Sequence, residues 1–215
     1  MGWNVISCAQ WRLYVIIDGA VVGRRDPAEV AAAAIRGGAD VIQLRDKAAS
    51  TRQVLECAQQ LLTVTRAGGV PLLINDRVDV AVAAGADGVH VGQDDLPVWA
   101  VRRLLGPERI VGKSTHSLEQ ALAAEQEGVD YLALGPLYPT PTKPDSPAVG
   151  LSLLGRVRAG VTKPLVAIGG IDETTVSEVL GAGAACVAVV RAVCAAADPQ
   201  AAAQHLKRLL VSSFH

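Results

Sequence analysis

The segment "QLRDK" (43–47) carries Gln43, Arg45 and Lys47 on alternate positions, so an extended chain shows all three on one face. Cations crowded in this way need acidic partners or an anion with several charges. A salt bridge to a neighbouring Asp accounts for one such arginine taken alone. Arg45, Lys47 and the distant Lys143 aimed at one place fit a diphosphate better, because a guanidinium fork matches phosphate oxygens and an ammonium adds a point charge.

Two acidic segments bear on the same chemistry. In "NDRVD" (75–79) and "GQDDL" (92–96), Asp76 and Asp95 each have a plain reading as helix N-caps, Asp76 with Asp79 in the first turn and Asp95 just before Leu96-Pro97. Taken together beside the cations, the two carboxylates fit Mg²⁺, which is held by one or two carboxylates, substrate phosphates and water. "IGGID" (168–172) and "VVRA" (189–192) supply a Gly-Gly pair and a following Arg191, suited to a monophosphate held by backbone amides, although a Gly-Gly turn also forms for geometry alone. "GKST" (112–115) mimics the end of a nucleotide-binding loop, but Pro107 stands where that motif needs Gly. Ser114 is then a hydroxyl donor. His90 and His116 are open between a structural role and general acid–base work. The loop "GPLYPTPTKPDSPAVG" (135–150) holds five prolines, with Thr140, Thr142 and Lys143 among them. Proline stiffness makes it a preset cover that excludes water.

These residues must be brought together by repeating elements. Short β-branched runs at 12–18, 40–45, 71–75, 88–91, 109–114, 130–134, 164–169 and 186–190 alternate with Ala-rich helical stretches. "GGAD", "GGVP", "GADG", "EGVD" and "GAGA" end helices with Gly just before the next strand. Asp26-Pro27 and Asp198-Pro199 pair a cap with proline at the first helical position. Eight such units predict a (β/α)8 TIM barrel over residues 1–215, with 1–11 as an N-terminal extension; a doubly wound open sheet is the alternative. In a barrel the chemistry belongs at the C-terminal ends of the strands, where nearly all of these polar residues fall.

Composition excludes other classes. Net charge is −1, half the chain is hydrophobic and 3% is aromatic, which argues against nucleic-acid and acidic-membrane partners. No apolar run nears the ~18 residues of a membrane span. Cysteines 8, 57, 186 and 194 lack CxxC spacing, as expected of reduced thiols in a cytoplasmic protein. An assembly of identical copies is left open.

The segments "QLRDK", "NDRVDVAVAAGADGVHVGQDDL", "GKSTHS", "YLALGPLYPTPTKP", "VAIGGI" and "VAVVRAV", in this order, resemble thiamin-phosphate synthases over about residues 12–205. The resemblance implies a transferase that joins a hydroxymethylpyrimidine diphosphate to a thiazole phosphate, releasing pyrophosphate, by a dissociative Mg²⁺-assisted path. It implies Gln43, Leu44, Arg45, Asp46, Lys47, Asn75, Ser114 and Lys143 on the pyrimidine diphosphate, with Arg45, Lys47, Ser114 and Lys143 catalytic. It implies Mg²⁺ on Asp76 and Asp95, and the thiazole phosphate on Thr140, Pro141, Thr142, Gly170, Val190 and Arg191. Many members carry Ser where Arg191 stands. Two rivals remain: a thiazole tautomerase-like isomerase using His116, and a non-catalytic phosphate-binding barrel.

Overall fold

The computed structural model describes residues 7–142 and 146–212. A short 3-10 turn, Cys8–Gln10, leads into eight strands: β1 (Leu13–Asp18), β2 (Val41–Arg45), β3 (Leu72–Asn75), β4 (Gly88–Val91), β5 (Ile110–Thr115), β6 (Tyr131–Leu134), β7 (Leu165–Ile168) and β8 (Cys186–Val189). All neighbours pair in parallel, and β8 returns to β1, so the sheet is a closed barrel rather than an open one. The helices are α1 (Gly19–Val22), α2 (Pro27–Arg36), α3 (Thr51–Gly68), α4 (Val78–Ala84), α5 (Val98–Leu105), α6 (Leu118–Gln126), α7 (Gly150–Gly160), α8 (Val176–Gly181), α9 (Arg191–Cys194) and α10 (Pro199–Ser212).

Alternation along the strands divides the core in two. Leu13, Val15, Ile17, Ile42, Leu44 and their counterparts point outward, into the layer between sheet and helices. Tyr14, Ile16, Leu73, Tyr131, Ala133 and Val166 point inward and fill the barrel. Asp40, Asp87 and Asp130, the acids of three of the Gly-Asp punctuations, tie the base of the barrel. Asp40 accepts from the Arg12 and Leu13 amides (2.7 and 2.9 Å), Asp87 from Leu72 (2.8 Å) and Asp130 from Val111 (2.7 Å). Each carboxylate thereby holds the N-terminal end of a neighbouring strand.

The predicted extension is partly structural. Trp11 is fully buried and meets Tyr14 and Tyr131 edge-on, with ring centroids 5.9 and 5.3 Å apart. Three aromatic rings therefore close the lower end of the barrel. The cysteines are all free, and burial pushes Cys8 and Cys194 up to about 12 and Cys57 up to about 11. Raised thiol pKa values of this kind disfavour the nucleophilic thiolate. Among the described residues, no helix is long and apolar enough to cross a membrane.

Candidate active site

A cavity of about 550 Å³ opens at the C-terminal ends of the strands. Its deep wall is made by Tyr14, Gln43, His90 and Ser114, and its outer wall by the loops after β6, β7 and β8. Gln43 and Arg45 share one face of β2, as their spacing requires, and both line the cavity with Asn75 and Ser114. Leu44, between them, faces the opposite way into the outer core, so its side chain is not part of the site.

Arg45 forms a salt bridge with Asp18, its register partner at the end of β1. Both groups are largely buried, with side-chain exposures of 14% and 3%. In the ligand-free chain the acidic-partner reading of Arg45 is thus realised. It leaves ligand binding open, because a guanidinium has five N–H donors and one carboxylate does not exhaust them. Lys47 lies 3.5 Å from Asp76 and is 61% exposed. Asp46 turns into its own loop, accepting from the Ala48 and Ala49 amides at 3.0 Å each and packing against Gly19. Its side chain is a turn-former.

The capping reading of the two acids fails. The N-cap of α4 is Arg77 and that of α5 is Pro97, and neither helix has a side-chain cap bond. Asp79 does lie in the first turn of α4, paired with Arg77 at 2.6 Å. Asp95 accepts instead from the Gly92 amide (2.6 Å). Asp76 is the one described non-glycine residue with left-handed backbone, φ 60°. Its carboxyl is held above the ordinary range, first by burial and then by the hydrogen-bonding reach and charge of Asp95, with Lys47 acting the other way. Two carboxylates forced together in this manner fit a hard divalent cation, which would relieve their repulsion.

The loop after β6 is fastened to the end of β7. Leu137 and Tyr138 amides donate to the Ile168 and Gly169 carbonyls (2.9 and 3.1 Å), and the Tyr138 hydroxyl donates to Glu178 (3.1 Å). Gly169 and Gly170 make this fit. Both have positive φ, and a Cβ would come within 2.4 Å of Pro136 at the first and 2.6 Å of Tyr138 at the second. Geometry therefore accounts for the Gly-Gly pair, while Gly170 still lines the cavity beside Thr140, Pro141, Thr142 and Val190. Lys143 lies outside the described residues.

Arg191, the first residue of α9, also lines the cavity. It does not pair with Asp172. That carboxylate is instead occupied by the Thr174 hydroxyl (2.7 Å) and the Thr174 and Thr175 amides, which hold it below its ordinary value. His116 anchors Nδ1 on the Gly135 carbonyl, and its amide donates to Gln120 at 2.8 Å. "GKST" divides across the sheet: Lys113 points outward to Glu127 (2.7 Å), while Ser114 faces the cavity. Sequence reasoning missed Asp18, Tyr14 and Tyr131. Asp18 ends its strand in register with Arg45, a signal that needs the pairing to be read; the tyrosines look like ordinary apolar strand residues.

Comparison with known proteins bears on what this arrangement does. A family model described as thiamine monophosphate synthase matches residues 13–193. The thiamine-phosphate synthase of Chloroflexus aurantiacus is 50% identical over 208 residues, covering 96% of each chain. That of Mycobacterium sp. strain KMS is 49% identical over 216 residues, covering 96% of this chain and 95% of its own. The solved thiamine phosphate pyrophosphorylase from Pyrococcus furiosus superposes with a TM-score of 0.89 at 37% identity, covering 97% of this chain and 99% of its own.

Proposed function

Because this chain belongs to the thiamine monophosphate synthase family and catalyses the formation of thiamin phosphate, we propose that its own residues do so by a dissociative displacement at the mouth of the barrel. The aminopyrimidine enters the deep end, against Gln43 and Asn75. Its diphosphate lies toward Arg45, Lys47, Ser114 and Lys143. The thiazole phosphate occupies the outer wall at Thr140, Pro141, Thr142, Gly170, Val190 and Arg191. The carbon–oxygen bond of the pyrimidine methylene breaks with its electron pair going to pyrophosphate, and the thiazole nitrogen lone pair then forms the new carbon–nitrogen bond.

Asp76 and Asp95 would hold Mg²⁺, and the ion when bound supplies a Lewis acid for charge gathering on the departing pyrophosphate. Arg45, already oriented by Asp18, offers its remaining N–H groups to the same oxygens. The loop after β6, fastened to β7, keeps bulk water from the reacting carbon. No protein nucleophile is needed, in keeping with thiols shifted far above neutrality by burial.

The observation that carries this reading is the convergence of Gln43, Arg45, Asn75, Ser114 and the loop threonines on one cavity, with the Asp76–Asp95 pair beside Lys47. Mixing the pyrimidine diphosphate, the thiazole phosphate and Mg²⁺ with the protein should release pyrophosphate in step with thiamin phosphate. Proton exchange on the thiazole with no pyrophosphate would favour an isomerase, and binding without turnover a non-catalytic barrel.

A further inference from the structure

Five side chains from five strands join into one hydrogen-bonded chain across the barrel. Gln43 Nε2 donates to the Tyr14 hydroxyl at 2.6 Å. The Tyr14 and Tyr131 hydroxyls are 3.0 Å apart. The Tyr131 hydroxyl lies 2.8 Å from His90 Nδ1, and His90 Nε2 lies 2.8 Å from Ser114 Oγ. The two ends, Gln43 and Ser114, face the cavity; Tyr131 is fully buried.

Backbone choices make this chain fit. The Tyr131 ring crosses the barrel because β5 has glycine at 112, where a Cβ would come within 2.1 Å of the ring carbon bearing the hydroxyl. Trp11 supports both tyrosines from below. Burial raises the pKa of both phenols far above neutrality, so each keeps its proton.

The sense of the chain follows from counting protons. An amide nitrogen can only donate, so the Tyr14 oxygen accepts from Gln43. The Tyr14 proton then goes to Tyr131, and the Tyr131 proton to His90 Nδ1. His90 must carry its own proton on Nε2 and donate to Ser114. The Ser114 proton is left for the cavity. We propose that the chain runs in this single sense, from Gln43 to Ser114, and that Tyr14, Tyr131 and His90 are positioning residues that make Ser114 a hydrogen-bond donor to the substrate.

A donor at Ser114 suits an acceptor oxygen of the diphosphate, whose charge grows as it departs. At the other end, Gln43 has committed one N–H to Tyr14 and keeps Oε1 and its second N–H for the aminopyrimidine. These two consequences rest on the function proposed above; the sense of the chain does not. In the opposite sense Gln43 would turn Oε1 to Tyr14, His90 would carry its proton on Nδ1, and the Ser114 proton would be spent on His90. The tautomer of His90 therefore reports the direction.

The test is ¹⁵N NMR of histidine-labelled, full-length, ligand-free protein, with the His90 signal among the four histidines assigned by its loss in His90→Asn. The expected wild-type form has its proton on Nε2. Gln43→Glu replaces the donor with an acceptor and should reverse the chain, moving the proton to Nδ1. Tyr14→Phe keeps the ring but cuts the chain, and should give a mixture of tautomers together with a roughly tenfold lower kcat for pyrophosphate release, the effect of losing about one hydrogen bond. A wild-type proton on Nδ1 overturns the proposal, as does a tautomer unmoved by Gln43→Glu or, should that variant not fold, by Tyr14→Phe. Wild-type protein that shows the expected tautomer but releases no pyrophosphate would sink the proposed function and leave the chain's direction standing.

Discussion

Replacing Asp76 by Asn should make the metal-free protein more stable while removing its activity. Two unit charges about 4 Å apart near a protein surface repel by about 4 kcal/mol at an effective dielectric of about 20. Lys47, 3.5 Å from Asp76, offsets part of this, but at 61% exposure its attraction is well screened. For partly solvated carboxylates, screening leaves a net relief of about 1–2 kcal/mol. Among side-chain-bearing residues Asn is one of the few that tolerate the left-handed backbone at this position, so the turn should persist. In a chain of this length, 1 kcal/mol moves Tm by about 2–4 °C, so Asp76→Asn should raise Tm in EDTA by about 2–8 °C at neutral pH. The sign with pH follows from the raised carboxyl. Its charged form is penalised in the fold, so the metal-free wild type gains stability as pH falls through the raised value and loses it as pH rises through it. The difference between wild type and variant should accordingly vanish in acid. Thermal melts with and without Mg²⁺ at both pH values are the assay. Mg²⁺ should raise the wild-type Tm and leave the variant's unchanged. A lower Tm for the variant in EDTA, or equal stabilisation of both by Mg²⁺, refutes the reasoning.

Lys143→Ala should lower kcat by about 10²–10³ with little change in the KM of the pyrimidine diphosphate, as for loss of a contact strongest in the transition state; a raised KM alone would contradict that role. Arg191→Ser should raise KM for the thiazole phosphate only, and the effect should shrink with added salt, since Arg191 is exposed; unchanged kinetics would make the arginine dispensable. Asp18→Asn strands a largely buried Arg45 and should cost about 3 kcal/mol by denaturant unfolding, part of it recovered when pyrophosphate is added. Gly112→Ala forces a methyl into the Tyr131 ring and should cost about 1–3 kcal/mol or more; a neutral effect would mean that the ring has room to move.

The barrel was legible because its signals are local. Each strand is a short run rich in apolar residues that ends within a residue or two of its predicted limits, and helices α1 to α5 each stop at a glycine. The polar face of β2 was legible for the same reason, since alternation alone puts Gln43 and Arg45 on one side. What stayed hidden depends on pairing across strands. Asp18 caps α1, accepting from the Ala20 amide at 3.1 Å, but its larger role requires knowing that β1 lies beside β2 in that register. The capping alternatives for Asp76 and Asp95 could not be decided without the loop conformations that turn both carboxylates away from their helices. Gly112 was recognised only as part of a failed nucleotide-binding motif. Its reason lies in Tyr131, on the next strand.

The aromatic floor of Trp11, Tyr14 and Tyr131 has a consequence for traffic. A barrel sealed at one end is a blind pocket, so everything enters and leaves by one mouth. Gln43 and His90 lie deep, 2% and 8% exposed, whereas Thr140 and Arg191 stand at the rim. A ligand seated at the rim obstructs the passage to the depths. The partner bound deeper must arrive first, and the rim-bound partner second. Steady-state turnover should then show a compulsory order of addition, with excess thiazole phosphate slowing the reaction by closing the mouth on an empty pocket.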